Sequence, residues 1–150
     1  MKPRKRYGSS DTASEGPVTY AKRVVGLPGD TVELKDGNLI INGAAVPRSE
    51  IGVMEEPGFP GGVHVCAETQ GGKTVTIYDL GKNSWGRFGP VTVEPGRYFV
   101  LGDNRANSFD SRELGTIARE DIIGKVSHVY FSRDPEESAV RWSRFGLRIE

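Results

Sequence analysis

Arg97-Tyr98-Phe99-Val100-Leu101-Gly102-Asp103-Asn104-Arg105-Ala106-Asn107-Ser108-Phe109-Asp110-Ser111-Arg112 is the stretch from which the rest of this 150-residue chain is best read. Its first five residues have the composition of a strand entering a core. The eleven that follow hold two aspartates, two arginines, two asparagines and two serines around one large apolar residue, Phe109. Polar groups this dense beside a buried strand need a closed set of partners, because unpaired buried charge costs several kcal/mol. A surface loop of turn formers is the plain alternative. It is weakened by a second unusual segment, Lys22-Arg23-Val24-Val25-Gly26-Leu27-Pro28-Gly29-Asp30.

Outward from these two segments, strand signals dominate. Thr19 to Val25 is β-rich and runs into a turn at Gly26-Leu27-Pro28-Gly29-Asp30, where glycine permits positive φ and proline presets the bend. Thr31 to Leu34 and Asn38 to Ile41 flank Lys35-Asp36-Gly37, and Asp-Gly between alternating apolar runs predicts a hairpin. Asn42-Gly43 predicts a second tight turn before Ala44-Ala45-Val46-Pro47. Ser49 to Gly62, rich in Gly, Pro and Glu, reads as an exposed loop. Val63 to Ala67 and Lys73 to Tyr78 are expected to pair across Thr69-Gln70-Gly71-Gly72. Asp79 to Gly89 is irregular, with Trp85 and Phe88 as anchors, and Glu94-Pro95-Gly96 is a turn between two apolar runs. Beyond the polar stretch, Arg119-Glu120-Asp121 suits one helical turn, while Lys125 to Phe131 and Val140 to Ile149 read as strands. Short strands separated by turn chemistry, with almost no helical periodicity, predict an all-β fold.

Bulk properties narrow the function. Lys plus Arg and Asp plus Glu balance at 20 each, so no global field favours nucleic acid or an acidic substrate. The one charge run, Lys2-Pro3-Arg4-Lys5-Arg6, belongs to a basic, linker-like tail over 1–17. Cys66 is single, so no internal disulfide forms, and His64 and His128 are far apart with no ligand spacing for a metal. They read as surface or structural histidines. No stretch approaches the roughly 20 apolar residues of a membrane helix, and none has the form of a signal-peptide core. Taken alone, the polypeptide is expected to be soluble.

The two polar segments together resemble two signature motifs of type I signal peptidases, the membrane-bound serine peptidases that remove signal peptides from exported proteins. Lys22 to Asp30 is similar to the family's lysine-bearing motif, and Gly102-Asp103-Asn104-Arg105-x-x-Ser108-x-Asp110-Ser111-Arg112 to its last motif. The likeness continues through Gly89-Pro90-Val91-Thr92-Val93 to Arg141-Trp142-Ser143-Arg144-Phe145-Gly146, covering residues 18 to 147. It implies antiparallel sheets of the signal-peptidase type, a catalytic domain over 18–150 and an inserted, loop-rich β subregion over 44–90. It implies no cofactor and no metal.

One departure matters. The family's nucleophile is a serine in a Ser-Met-x-Pro-Thr type motif that follows a transmembrane helix and precedes the lysine. Ser9, Ser10 and Ser14 are not in such a motif. A family strand of the Arg-Gly-Asp-Ile-Val-Val-Phe kind is missing too. The expectation is the carboxy-terminal majority of a catalytic domain, truncated or degenerate and inactive as given. Its parent would be anchored by a missing amino-terminal part, with the catalytic domain on the outer face of the membrane.

The resemblance assigns Lys22 as general base and Ser108 as the hydroxyl that orients it. Arg23, Gly102, Asp103, Asn104, Arg105, Asp110 and Arg112 support the site, with Asp110 and Arg112 as a structural ion pair and Arg23 and Asp103 as a second. A lysine acts as base only if burial in apolar surroundings disfavours its ammonium form. Strand alternation puts Lys22 on one face with Tyr20 and Val24, and Arg23 on the other with Ala21 and Val25. Gly102 would let the backbone approach Lys22 closely. The implied partners are preproteins with small residues, commonly alanine, before the cut. Two alternatives stay open: a Ser-Lys self-cleaving or conjugation-type relative, and a non-catalytic peptide-binding module on the same scaffold. Nucleic-acid binding through the tail and Trp85 lacks both net charge and a motif.

Overall fold

The computed structural model describes residues 19–56, 58–81, 86–134 and 139–149. The basic tail and Trp85 lie outside them. Among the described residues, ten strands form three sheets, and every ladder is antiparallel. The first sheet has the order β1 (Arg23–Gly26), β9 (Arg97–Leu101), β10 (Ile117–Ala118). The second runs β4 (Ala44–Ala45), β3 (Asn38–Ile41), β2 (Thr31–Lys35), β8 (Phe88–Thr92). The third contains β5 (Arg48–Glu56), β6 (Phe59–Gln70) and β7 (Lys73–Asp79). One short helix, α1 (Ser111–Leu114), follows the polar stretch. No helix among the described residues is long and apolar enough to cross a membrane.

The tight turns form where their chemistry predicts. Asp36 and Gly37 have φ of 51° and 76°, and Asn42 and Gly43 of 53° and 80°. This double positive φ matches the twist of two-residue hairpins. The β6–β7 hairpin pairs from His64↔Asp79 to Gln70↔Lys73 around Gly71-Gly72. Arg119–Asp121 is a 3₁₀ turn. Glu94-Pro95-Gly96 turns as expected, with the Arg97 N–H donating to the Glu94 carbonyl at 3.1 Å. The strands on either side of it do not pair with each other, since β8 joins β2 and β9 joins β1.

Two expectations are corrected. The stretch read as a loop from Ser49 to Gly62 is largely strand, because β5 pairs with β6 from Arg48↔Glu68 to Glu56↔Phe59, with two register breaks. Beyond Arg48 its side chains are all exposed, so no apolar alternation marks it, and backbone pairing alone holds it. Conversely, Lys125–Phe131 and Val140–Ile149 are not strands. They meet through one isolated bridge, His128↔Arg148, with a second, Arg133↔Val140, just beyond Phe131, and Trp142–Arg144 is a 3₁₀ turn. Val126, Tyr130, Phe131, Trp142, Phe145 and Leu147 are exposed, so alternation there reflects no buried face and supports no continuous ladder.

The core joins all three sheets: Val25, Phe99 and Leu101 from the first, Val32, Leu34 and Leu39 from the second, and Cys66 and Ile77 from the third. Each fully buried aliphatic or aromatic side chain contributes roughly 1.5–3 kcal/mol. Phe88 packs on Phe99 with ring centroids 5.5 Å apart. Gly26, last in β1, sits where these layers meet. A Cβ there would lie 2.6 Å from Val32 Cγ2 and 3.0 Å from Phe99 Cβ. Gly26→Ala is therefore expected to overpack the core and lower stability by about 1–3 kcal/mol. Chemical denaturation showing no loss in this variant would contradict the packing described.

Candidate active site

Lys22 immediately precedes β1, and its Nζ donates to Ser108 Oγ at 2.8 Å, a contact between residues 86 apart in sequence. Beside it, Arg23 donates from Nε and Nη2 to the two carboxylate oxygens of Asp103 at 2.8 and 3.0 Å. The hydrogen bonds it donates to Asp103 raise the Arg23 pKa further, against the opposing effect of burial. Adjacent side chains thus reach different points of the same 102–112 segment. Val25 is buried and Val24 is 41% exposed, as alternation requires. Lys22 is half-buried, short of the apolar enclosure expected from sequence, because Tyr20 and Val24 on its face are themselves partly exposed. The Tyr20 ring lies 5.7 Å from the Lys22 nitrogen, within cation–π range.

Asp110 holds the segment in shape. Its carboxylate, fully buried, accepts from Arg112 Nε and Nη2 at 2.8 Å each and from the Gly102 N–H at 3.0 Å. It also caps α1 by accepting from the Arg112 N–H at 3.2 Å. Arg112 Nη1 donates to the Arg105 carbonyl at 2.7 Å, so a single fork locks both the carboxylate and the middle of the loop. The Ser111 hydroxyl, buried, accepts from the Val100 N–H at 2.8 Å. Burial pushes the Asp110 pKa up, but the bonds from Arg112 and Gly102 and the arginine's charge outweigh it and hold the carboxyl below its ordinary 3.8.

Gly102 is a matter of space. A Cβ on it would overlap the Ser108 hydroxyl, lie 2.6 Å from Ser108 Cβ and stand 3.5 Å from Lys22 Nζ. Asn104 accepts from the Asn107 N–H at 3.1 Å, closing a local turn. The backbone around it joins β7, with the Tyr78 N–H donating to the Asp103 carbonyl at 2.8 Å and the Arg105 N–H to Tyr78 at 2.7 Å. Arg105, buried, pairs with the buried Glu68 of β6, donating from Nη1 to Oε2 at 2.9 Å and from Nη2 to the other oxygen. Sequence reasoning missed Glu68. Its one signal is a glutamate ending a run of strand residues, Val63 to Ala67. It also missed Phe109, whose ring lies 6.3 Å from that of Tyr20. These rings wall a cleft of about 590 Å³ beside Ser108, lined further by Asn107, Arg112 and Glu113. Among the described residues, no cluster of His, Cys, Asp and Glu is arranged to hold a metal ion.

An antiparallel β scaffold presenting a lysine to a loop serine is the form in which comparison with known proteins becomes informative. The chain matches the family model of signal peptidase, peptidase S26, over residues 6–131. It is 42% identical over 115 residues to signal peptidase I of Bacillus amyloliquefaciens, covering 76% of this chain and 50% of that protein. It is 40% identical over 115 residues to signal peptidase I T of Bacillus subtilis strain 168, with the same coverage of 76% and 50%. A solved structure of a signal peptidase I from Enterococcus faecalis V583 shares 33% identity, with a TM-score of 0.43, over 72% of this chain and 82% of that one. The chain belongs to the signal peptidase, peptidase S26 family. It spans about half the length of the curated relatives it matches.

Two outcomes follow from the geometry. In a crystal structure of Gly102→Ala, the added methyl displaces Ser108, and the Lys22–Ser108 separation is expected to exceed about 3.5 Å. A retained contact of 2.8 Å would refute the role given to the missing side chain. For Asp110, a depressed folded-state pKa means stability that is fully present above the unfolded value near 3.8 and lost as pH falls through the lower folded value. The stability difference between wild type and Asp110→Asn, followed by urea unfolding, is expected to be largest at neutral pH and to shrink below about pH 4.

Proposed function

We propose that this chain supplies the lysine side of a serine endopeptidase that removes signal peptides from exported proteins, with Lys22 as general base and Ser108 as the residue that positions it. The observation that carries the reading is the 2.8 Å bond between Lys22 Nζ and Ser108 Oγ over a glycine with no room for a side chain. A hydroxyl suits both states of a lysine base, accepting from the ammonium and donating to the neutral amine. In the reaction, Lys22 takes the proton of a nucleophilic serine as that oxygen attacks the peptide carbonyl. The proton then passes to the leaving amine. Water, deprotonated by the same lysine, hydrolyses the acyl-enzyme. The nucleophile and the oxyanion donors near it come, in this reading, from a stretch of polypeptide other than the described residues.

The same reading gives the protein preproteins as partners, cut after small residues. It places a membrane anchor outside the described residues and the catalytic domain on the outer face. β1 lies at the edge of its sheet, which supports capture of an extended peptide by strand addition. A second reading makes Ser108 itself the nucleophile, because its hydroxyl is the one that Lys22 touches. The Gly102 backbone lies against that hydroxyl, which favours the positioning role.

The two readings separate in a polypeptide that joins this chain to the half of a curated relative that it does not match, assayed on an Ala-x-Ala reporter. Lys22→Ala is expected to lower kcat by about 10²–10⁴-fold with little change in KM. Ser108→Ala should lower kcat less, with partial rescue in Ser108→Thr. The 150-residue chain alone is expected to be inactive. Turnover by that chain alone, abolished in both Lys22→Ala and Ser108→Ala, would establish Ser108 as nucleophile and overturn the first reading.

A further inference from the structure

A second concavity, of about 330 Å³, is lined by Lys73, Lys125, Ser127, His128, Arg148 and Ile149. Its cations come from three separate parts of the chain. Lys73 begins β7 at the tip of the β6–β7 hairpin, opposite Gln70. The Gln70 amide donates to the Val25 carbonyl at 2.6 Å, which fixes this tip against β1. The other wall is the pairing of His128 with Arg148, with the Ile149 N–H donating to the Ser127 carbonyl at 2.8 Å and the Val129 N–H to that of Leu147 at 2.9 Å. Lys125 extends the same wall.

Among the described residues, Lys73, Lys125 and Arg148 form no ion pair, and no carboxylate lines the cleft. The chain carries equal numbers of acidic and basic residues, 20 of each, so this segregation is local. Three like charges drawn to one concavity repel each other unless something negative joins them. Concave walls lined by one sign of charge also focus the field on an incoming anion. The chemistry is that of oxyanion recognition. An arginine fork takes two oxygens of a phosphate and lysines add point charges, while the Ser127 hydroxyl and the His128 ring, 3.1 Å apart, offer further hydrogen bonds.

We propose that this cleft binds a phosphate group, carried either by a small free anion or by the headgroup of an anionic lipid. Val126 and Leu147, beside the cationic residues in sequence though not lining the cleft, are 57% and 50% exposed, so the chain flanking the cations carries solvent-exposed apolar side chains. The inference is independent of the proposed peptidase reading, since neither Lys22 nor Ser108 lines the cleft.

The test uses the purified chain with two probes. Inorganic phosphate is titrated while backbone amide shifts are followed by NMR, and vesicles of phosphatidylcholine with and without phosphatidylglycerol are tested by cosedimentation. Saturable shifts at Lys73, Lys125 to His128 and Arg148 are expected with phosphate, weakened about tenfold or more when Lys73→Gln, Lys125→Gln and Arg148→Gln are combined. Raising the salt to about 0.5 M should weaken them as well. Phosphate binding without vesicle binding identifies a small anion as the ligand. Charge-dependent binding to phosphatidylglycerol vesicles without a phosphate response, lost in the variant, identifies the headgroup. No response to either probe, or a response unchanged in the variant, overturns the proposal. Lys125→Gln alone, with an unchanged circular dichroism spectrum, serves if the combined variant does not fold.

Discussion

The buried carboxylate of Asp110 is the constraint on which the rest of the site depends. An ionised group removed from water is tolerated only when its lone pairs are filled, and this one receives the Gly102 N–H, the Arg112 N–H and both arms of the Arg112 fork. Gly102 is the residue after β9, and Asp110 caps α1. One side chain therefore joins the exit of a strand to the entrance of a helix and closes the loop between them. Arg112 then spends its remaining nitrogen on the Arg105 carbonyl inside that loop. Ser108 has little freedom left, and its distance to Lys22 follows from the closure.

The closed loop is also bound to the third sheet. Asp103 and Arg105 exchange backbone hydrogen bonds with Tyr78 of β7, and the Arg105 guanidinium reaches Glu68 of β6. Breaking a buried pair by removing one partner typically costs 3–5 kcal/mol, although the intact pair need not be more stabilising than apolar residues of the same volume. What the Arg105–Glu68 pair supplies is registration. The segment that carries Ser108 can sit in one way between the sheet that bears β1 and the sheet that bears β6 and β7. Arg48 does the same from β5, on the face of the third sheet that also carries Glu68, donating to the Gly37 carbonyl of the β2–β3 turn at 2.5 Å, to Cys66 at 3.1 Å and to the buried Asp79.

What could be read from sequence was local or carried by long motifs. Asp36-Gly37 and Asn42-Gly43 name their turns because few residues accept positive φ at two successive positions. Lys22 with Ser108, Arg23 with Asp103 and Asp110 with Arg112 are legible because each belongs to a motif that demands its partner. Glu68 is different. It faces Arg105 because of where β6 lies, and nothing in its neighbourhood announces that. β5 was hidden for the opposite reason: past Arg48 it buries no side chain, so its strand character lives entirely in main-chain pairing. The alternation of Lys125 to Phe131 promised a strand that the fold does not make, since a period of two predicts a strand only where one face meets a core. The cationic cleft was invisible too, because Lys73, Lys125 and Arg148 are scattered in sequence and meet only in the folded chain.

The exposure around Lys22 bears on how such a base could work. Its amine is engaged on one side by the Ser108 hydroxyl and faced by the Tyr20 ring. On the same face, Tyr20 is 48% and Val24 41% exposed. Full burial would withhold the nitrogen from the hydroxyl that must give up its proton, so a half-covered amine is the geometry that the proposed reaction requires. Burial disfavours the ammonium form, and the face that lacks cover here belongs to the segment leading into edge strand β1. An extended peptide or a further strand laid along that edge would cover Tyr20 and Val24 and exclude water from the amine in the same event. In the proposed reading, desolvation of the base and presentation of the peptide bond are then one step, and the Ser108 hydroxyl keeps the nitrogen aimed while it happens.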